Sequence, residues 1–349
     1  MIKTIGILGG GQLGRMLALA AARLGIKVHI YEPLPLPPAG DVAAQVFTAP
    51  YEDSETLRAF AESVDLVTFE FENIPAEALD IVEAITPVLP RRNALTVSQD
   101  RITEKRFLQD QGIAVAPFAE VDTLPQLVAA LATIGTPAIL KTRRFGYDGK
   151  GQVKITDAAQ AEEAFAALAG APAVLEKMIA FEREISIIAA RNASGEVSCF
   201  DPGENVHKDG ILHTTTVPAA ISHALQTDAV LLAARILNAL DYVGVMGVEL
   251  FVTSSGLMVN EIAPRVHNSG HWTQDACLID QFEQHIRAIA GWPLGDGQRH
   301  SDAEMVNLLG DDANHLEQWQ NCAIHMYGKA EAKPGRKMAH INKISPKSA

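Results

Sequence analysis

The sequence has few cysteines, no long apolar run and a shortage of basic residues, and each shortage excludes a class of protein. Its 349 residues include three cysteines, an odd number without metal-ligand spacing, which is typical of the reducing cytosol. No apolar run reaches about 18 residues and the start has no signal-peptide layout, so we expect a cytoplasmic protein without a membrane span. Lysine and arginine number 29 against 42 acidic residues, and the net charge of -13 argues against binding to nucleic acid or anionic membranes.

Length and element pattern predict the fold class. A chain of 349 residues exceeds one compact core and predicts two or three domains. Short apolar strands alternate with helices over residues 5–89, which is typical of an α/β parallel sheet with helices on its faces. Over residues 115–177 the pattern changes to that of an inserted α+β module, and longer helices are predicted over 94–111 and 275–290.

The first glycine cluster follows the predicted strand Ile5–Leu8 and precedes an amphipathic helix. Gly9, Gly11 and Gly14, with Glu32 after the next strand, complete the fingerprint of a dinucleotide-binding fold. A tight strand-to-helix turn, whose exposed N–H groups bind any phosphate, explains the same pattern. The pattern therefore leaves a NAD-dependent dehydrogenase open.

A second glycine-rich stretch, residues 141–151, follows a short apolar strand. Gly146, Gly149 and Gly151 alternate there with lysines and arginines. Glycine lets backbone N–H groups approach an anion closely, and the basic side chains add charge for a polyphosphate. The stretch is not a Walker loop, because no lysine followed by serine or threonine opens a helix. The alternative is a surface hairpin with a glycine-rich turn.

Two apolar strands near residue 250 each contain one glutamate, Glu249 and Glu261. The connecting residues fit a three-residue hairpin loop that sets Thr253 opposite Leu257, and therefore Glu249 opposite Glu261. Facing residues have Cβ atoms about 4.5–5.5 Å apart, and two buried carboxylates so close need a cation between them. A magnesium–nucleotide site is therefore predicted, with two glutamates at a wet sheet edge as the alternative.

Three other stretches carry candidate binding groups. Glu70 and Glu72 end a strand at the edge where open α/β sheets bind ligands, although a lone glutamate there is more often solvated. Glu176 and Lys177 end a strand whose backbone can hydrogen-bond adenine. An arginine, a histidine and an asparagine follow Glu261 in one turn and predict an anion or acceptor pocket, and residues 335–340 form a basic tail.

Together these motifs resemble the ATP-grasp superfamily. Four stretches, 9–16, 68–73, 146–152 and 335–338, narrow the resemblance to the 5-(carboxyamino)imidazole ribonucleotide synthases of bacterial purine biosynthesis. The resemblance covers nearly the whole chain, and Ala339 departs from the glycine expected before His340.

The resemblance implies a three-domain ATP-grasp fold and a homodimer. The N-terminal Rossmann-like domain would span 1–98, the ATP-grasp domain 99–291 with its inserted lid at about 113–180, and a small C-terminal domain 292–349. The implied reaction joins bicarbonate to 5-aminoimidazole ribonucleotide with ATP and Mg²⁺, through carboxyphosphate. The first glycine cluster would then hold the ribonucleotide.

The resemblance also assigns residue roles. ATP would contact Arg101, Lys141, Gly146, Tyr147, Asp148, Gly149, Lys150, Gly151, Gln152, Glu176, Lys177, Met178, Ile179, Glu184, His207, Asn260 and Glu261. Magnesium would bind Glu249 and Glu261, and the ribonucleotide would contact Gln12, Leu13, Glu72, Arg265, His267, Asn268, Lys329 and Arg336. The catalytic residues would be Tyr147, Asp148, Arg265, His267 and Lys329.

Three alternatives stay open at the level of sequence. Another ATP-grasp ligase of purine biosynthesis shares most of these motifs. The interpretation as a NAD-dependent dehydrogenase gives no role to residues 141–151 or to the facing glutamates. A non-enzymatic nucleotide-binding module does not explain the cluster at 265–268.

Overall fold

The computed structural model describes residues 2–146 and 149–348, which three β-sheets organise. The first sheet is parallel, in the order β3-β2-β1-β4. Its elements are β1 (Thr4–Leu8), α1 (Gln12–Arg23), β2 (Lys27–Tyr31), β3 (Gln45–Phe47), α2 (Ser54–Glu62), β4 (Leu66–Phe69) and α3 (Ala76–Glu83). Leu8 pairs with Tyr31 on one side and with Phe69 on the other, so the carboxyl ends of three strands lie at one edge. The predicted parallel α/β sheet is confirmed.

The predicted single helix over 94–111 is wrong. The structure has α4 (Arg92–Ser98) and α5 (Arg101–Asp110), separated at Asp100. Asp100 has extended backbone, and its carboxylate accepts the N–H groups of Ile102 and Thr103 at 2.9 and 3.2 Å. An aspartate that caps a new helix start ends the preceding one, because its side chain replaces the missing backbone acceptors.

The inserted module is a four-stranded antiparallel sheet in the order β5-β8-β6-β7. Its elements are β5 (Phe118–Val121), α6 (Leu124–Ile134), β6 (Ala138–Thr142), β7 (Gln152–Ile155), α7 (Ala161–Ala167) and β8 (Ala173–Lys177). Apolar residues of the two helices and of the sheet form a separate core cluster. Lys141 on β6 pairs with Gln152 on β7, so the glycine-rich stretch is the loop between these strands.

The third sheet has nine strands, in the order β14-β13-β9-β11-β12-β15-β17-β16 with β10 paired to β9. Its strands are β9 (Arg183–Arg191), β10 (Val197–Cys199), β11 (Gly203–Lys208), β12 (Ile211–Val217), β13 (Gly244–Thr253), β14 (Gly256–Ala263), β15 (Ser301–Leu309), β16 (Ala323–Met326) and β17 (Lys337–Pro346). Helices α8 (His223–Ala239), α9 (Thr273–Ala276) and α10 (Gln281–Ala290) connect them. Because β12 pairs with β15, the sheet runs across the predicted domain boundary at residue 292, and the boundaries themselves stay predictions.

Two further predictions in this part are wrong. The helix expected over 275–290 is broken at Asp280, whose carboxylate caps α10 by accepting the N–H groups of Phe282 and Glu283. Residues 337–340 of the expected basic tail are the start of β17, and residues 338–342 are buried between β15 and β16. Within the described residues, no helix has both the length and the apolar content needed to cross a lipid bilayer.

Candidate active site

The first glycine cluster is filled by the protein's own carboxylates. The Gly11 N–H donates to Oε1 of Glu70 and the Gly14 N–H donates to Oε2 at 2.8 Å. Gly10 donates to Glu32 at 2.7 Å. A Cβ at Gly11 would lie 2.5 Å from Oε1 of Glu70, so the close approach of this side chain requires glycine there. The N–H groups that the fingerprint assigns to a pyrophosphate therefore hold carboxylates, which counts against the dinucleotide interpretation. The same N–H groups are not free for the ribonucleotide that the resemblance places at this cluster, so that contact stays a prediction.

Glu72 lies two residues after Glu70 and links the first, N-terminal sheet to the third, nine-stranded sheet, which is called the central sheet below. Arg265 donates from Nε and Nη2 to the two oxygens of Glu72 at 2.6 and 3.2 Å. Burial disfavours ionisation of Glu72, but the charge and hydrogen bonds of Arg265 outweigh burial and lower the pKa of Glu72. The structure thus brings together two residues predicted to hold the acceptor, 193 positions apart.

Glu249 and Glu261 face each other across β13 and β14, as predicted. The predicted loop is wrong, because Thr253 pairs with Gly256 and the turn contains two residues. The register then shifts between Glu249 and Leu250, where Asn260 is the extra residue on β14. This bulge compensates for the shorter turn and restores the predicted pairing of the two glutamates.

The two facing carboxylates have opposite electrostatic environments. Burial and the charge of Glu261 raise the pKa of Glu249 to about 7. Burial also opposes ionisation of Glu261, but Arg101 donates to it at 2.9 Å and its charge and hydrogen bond lower the pKa to about 2. His267 Nε2 lies 3.6 Å from Glu249. No group of three or more His, Cys, Asp or Glu side chains between residues 2 and 146 or 149 and 348 is arranged to hold a metal ion alone.

Lys141, at the start of the glycine-rich loop, forms a buried ion-pair cluster. Its Nζ lies 3.0 Å from Oε2 of Glu176, and Nζ of Lys105 lies 3.3 Å from the same oxygen. Burial opposes ionisation of Glu176, but the charges of the two lysines lower its pKa. The N–H groups of Lys177 and Met178 already donate to the backbone carbonyls of Pro117 and Pro137, so neither N–H is free for an adenine, and the predicted adenine contacts stay predictions.

The glycine-rich loop approaches the β11–β12 hairpin. Gly149 has φ +76°, and a Cβ there would lie 3.2 Å from Cα of Gly210. Close to the turn of this hairpin, His207 Nδ1 lies 2.8 Å from Glu184, so two predicted ATP contacts bind each other. Gly146, Lys150 and Gly151 lie in the described part of the loop, whereas Tyr147 and Asp148 lie outside the described residues.

The turn after β14 is tightly held. Nδ1 of His267 lies 2.8 Å from the Ser269 hydroxyl. Burial and the charge of Arg265 lower the pKa of His267 to about 3. The buried Asn268 exchanges two hydrogen bonds with Asn307, at 3.0 and 2.7 Å, so its side chain holds the turn to β15. The predicted ligand contact of Asn268 stays a prediction.

The remaining predicted acceptor residues lie at the start of α1 and near β17. Gln12 and Leu13 open α1. Lys329 Nζ donates to the Lys337 carbonyl at 2.6 Å and lies 5.5 Å from the Tyr327 ring centroid. Arg336 donates to the Glu331 carbonyl at 2.8 Å, a bond that involves none of the other predicted acceptor residues.

One pocket brings some of these groups together, whereas Lys141, Glu249, His267 and Lys329 do not line it. Its lining includes Glu72, Gln99, Arg101, Glu104, Arg144, Gly146, Glu261 and Arg265. Sequence reasoning missed Glu104, because a glutamate on a helix face is usually solvated, yet burial and the charge of Glu261 raise its pKa to about 8. It also missed Lys337, whose charge offsets part of the rise in the pKa of Glu249 and adds to the fall in the pKa of His267, although the basic stretch beside Arg336 was a usable signal.

Comparison with known proteins agrees with this arrangement. Three family models match: a ribonucleotide synthetase preATP-grasp domain over 2–99, an ATP-grasp domain over 106–282 and a phosphoribosylaminoimidazole carboxylase C-terminal domain over 303–349. The N5-carboxyaminoimidazole ribonucleotide synthase of Brucella melitensis is 54% identical over 352 positions, covering 99% of this chain and 97% of that protein.

Two solved structures have the same fold. An ADP complex of an N5-carboxyaminoimidazole ribonucleotide synthetase superposes with a TM-score of 0.95 at 42% identity, covering 98% of this chain and 92% of the other. An Aspergillus clavatus synthase in complex with ADP and 5-aminoimidazole ribonucleotide superposes with a TM-score of 0.92 at 32% identity, covering 99% and 94%. The chain therefore belongs to the N5-carboxyaminoimidazole ribonucleotide synthase family of ATP-grasp ligases.

Proposed function

We propose that this chain uses ATP to join bicarbonate to the amine of 5-aminoimidazole ribonucleotide, releasing ADP and phosphate. The observation that carries the proposal is the pocket in which the Arg265–Glu72 pair and the Arg101–Glu261 pair lie together beneath Gly146 of the glycine-rich loop. A phosphoryl-transfer site and an acceptor site must share one chamber if an activated carboxyl group is to pass between them. The relative bound to ADP and the aminoimidazole ribonucleotide supports the same pair of ligands.

The chemistry requires activation and then exclusion of water. Bicarbonate is a poor electrophile, so transfer of the ATP γ-phosphoryl group to one of its oxygens gives carboxyphosphate and ADP. Attack by the amine on the carboxyl carbon, or on the carbon dioxide released from it, then forms the C–N bond, and phosphate and a proton leave. Carboxyphosphate hydrolyses readily, so the loop over residues 141–151 would close before it forms.

The facing glutamates fit a magnesium ion. Burial and the charge of Glu261 opposite raise the pKa of Glu249 to about 7, and a cation between the two carboxylates would remove their repulsion. When bound, Mg²⁺ would neutralise charge on the transferring phosphoryl group. Lys141 adds positive charge at the start of the loop that covers this site.

The acceptor end is proposed to use three basic groups, Arg265, His267 and Lys329. The Ser269 N–H donates to Nδ1 of His267 at 3.4 Å, which places the ring proton on Nε2. With a pKa of about 3 the ring is neutral at pH 7, so it acts as a hydrogen-bond donor and not as a cation. Arg265 stays charged and would hold the carboxyl oxygens.

The test is release of ADP and of carboxylated product from the purified protein. We expect ADP release to require Mg²⁺, bicarbonate and 5-aminoimidazole ribonucleotide together. Glycinamide ribonucleotide as the acceptor tests the alternative of another ATP-grasp ligase of purine biosynthesis. Equal rates of ADP release with this acceptor would assign the chain to that alternative. Tight binding of NAD, lost on mutation of Glu32, would restore the dehydrogenase interpretation.

Two finer properties are proposed with this function. The chain would work as a homodimer, as the family resemblance implies. It would work in the cytoplasm, because its cysteine usage is typical of a reducing compartment. Sedimentation equilibrium at micromolar concentration measures the first, and a monomer under all conditions would refute it.

A further inference from the structure

A buried amide side chain holds the backbone of His267. Gln281 is fully buried at the first position of α10. Its Oε1 accepts the N–H of His267 at 2.9 Å, and its Nε2 donates to the carbonyl of the same residue at 2.8 Å. Both backbone groups of His267 are therefore bound by one primary amide, as a neighbouring strand would bind them.

The same side chain also contacts the rest of the turn. Nε2 of Gln281 lies 2.9 Å from Nδ1 of His271. The backbone N–H of Gln281 separately donates to the Thr273 hydroxyl at 3.1 Å, which holds the start of α10 against the same turn. A Cβ at Gly270 would lie 2.7 Å from Oε1 of Gln281, so the amide packs directly against the turn and a larger residue at position 270 would displace it. Each polar atom of the amide thus has a partner in the turn.

The opposite side of His267 is closed as well. A Cβ on Gly247 of β13 would lie 2.6 Å from Cβ of His267. His267 is therefore held between the floor of the sheet and Gln281, and Ser269 fixes its ring with Nε2 directed toward Glu249. Movement of the backbone by about 1 Å would carry the ring away from the reacting groups, which commonly lowers a rate by about 10²-fold.

We propose that Gln281 is a positioning residue for carboxyl transfer, because its amide fixes the backbone and hence the ring of His267. The proposal rests on the proposed function and names a residue that touches no substrate. Gln281 acts through His267, so its loss should affect the use of the activated carboxyl group more than the binding of ATP.

The same helix supplies a matched control. Gln284 is also fully buried, and it exchanges two hydrogen bonds of 2.8 Å with the backbone N–H and carbonyl of Gly295. It holds a loop outside the pocket with the same chemistry. Gln281→Glu and Gln284→Glu keep side-chain size and remove the donated hydrogen bonds, and Gln281→Met and Gln284→Met form a second pair if a buried carboxylate prevents folding.

The measurements are thermal stability, KM for ATP, and carboxylated product per ADP released. We expect similar losses of stability in both pairs, an unchanged KM for ATP, and a product-to-ADP ratio at least tenfold lower for the Gln281 variants alone. A wild-type ratio in the Gln281 variants, or an equal fall in the Gln284 variants, overturns the proposal.

A second readout does not depend on the reaction. The ¹⁵N resonances of the His267 ring, assigned with His267→Asn, report which nitrogen carries the proton. We expect the Gln281 variants to show a mixture of tautomers and the Gln284 variants to keep the wild-type signal, and unchanged ring signals in all variants would overturn the proposal. If ADP release from the wild-type protein did not depend on the acceptor, the proposed function would be refuted. The ¹⁵N signals would still show whether Gln281 positions the ring of His267.

Discussion

Two glutamates of one hairpin, Glu249 and Glu261, have pKa values displaced in opposite directions. The difference arises because Arg101 hydrogen-bonds one of them, whereas the other is buried against its neighbour's charge. Such asymmetry is common in functional sites, since a structure that must accept a cation keeps an unneutralised carboxylate. Without the cation, this carboxylate lowers the stability of the fold at high pH.

The first residue-scale prediction concerns Glu249→Gln in metal-free protein. A glutamate has a pKa of about 4.3 when unfolded and Glu249 has one of about 7 when folded, so stability is lost as pH rises through this window. The neutral amide does not titrate, and we therefore expect the melting temperature of the variant to rise relative to wild type between pH 5 and pH 8. Differential scanning fluorimetry measures it.

The control for this series is addition of Mg²⁺ with ADP. A bound cation removes the penalty of the second carboxylate, so the pH trend should vanish in wild-type protein. A difference in melting temperature that stays constant from pH 5 to pH 8 would show that Glu249 ionises normally.

Sequence patterns identified the residues whose chemistry is local. Lys141, Glu249 and Arg265 follow from strand periodicity, glycine spacing and charge. Gln281 was not identifiable as a site residue, because a glutamine in a helix has no distinctive pattern, and Glu70 was a candidate for binding a ligand but not for holding the glycine turn. Their roles depend on contacts with residues 14 and 56 to 59 positions away, which only the folded chain brings together.

At the scale of elements, the hairpin shows how two errors can cancel. A two-residue turn instead of three shifts the register by one residue, which alone would place Glu249 and Glu261 on opposite faces. The bulge at Asn260 shifts it back. Turn length was not readable from residues 253–256, because serine and glycine fit either turn, and the bulge had no signal of its own.

Apolar periodicity also failed to predict two breaks between helices. Asp100 and Asp280 interrupt apolar patterns that continue across them, so the continuous pattern predicted one helix where two exist. Capping decides these breaks, because a carboxylate that accepts two N–H groups stabilises a new start by about 1 kcal/mol. The break at Asp100 has a functional consequence, since it places Arg101 at the start of α5 beside Glu261.

The element-scale prediction is that Asp100→Ala loosens the nucleotide site. The variant loses the cap of α5 and the ion pair with Arg143 at 2.9 Å, so we expect a loss of about 1 kcal/mol in the free energy of unfolding and a several-fold rise in KM for ATP. Asp53→Ala removes a similar cap from α2, which lies away from the pocket. It should lower stability without changing KM, and equal KM values in both variants would contradict the prediction.

At the scale of the whole molecule, the pocket draws on separate parts of the chain. Glu72 follows the N-terminal sheet, Gly146 belongs to the inserted module, and Arg265 follows the hairpin of the central sheet. The three-part fold was predictable from the motifs because their order along the chain is distinctive. The shared nine-stranded sheet was not, because pairing between β12 and β15 joins residues about 90 positions apart without a local pattern.

Continuity of the sheet places the phosphoryl and carboxyl ends of the site on one rigid support. Glu249 and Glu261 lie on neighbouring strands, and the turn that begins after Ala263 leads to His267 against Gly247 of the same hairpin. Under the proposed function, β13 and β14 would therefore hold the residues for the nucleotide and for the acceptor at a fixed separation. This arrangement predicts that the two half-reactions can be separated by a substitution that spares the carboxylates.

The whole-molecule prediction is that His267→Asn uncouples ATP cleavage from carboxylation. The variant keeps a polar side chain of smaller size and leaves Arg101 and Glu261 in place, so ATP binding and ADP release should persist. Without a positioned imidazole, the activated carboxyl group decomposes to bicarbonate and phosphate, and product per ADP should fall by about 10²-fold. His300→Asn, at an exposed histidine bonded to Ser301, should leave the ratio unchanged. Measuring ADP and carboxylated product in one reaction decides the matter, because an unchanged ratio at an unchanged rate would make His267 a packing residue of its turn.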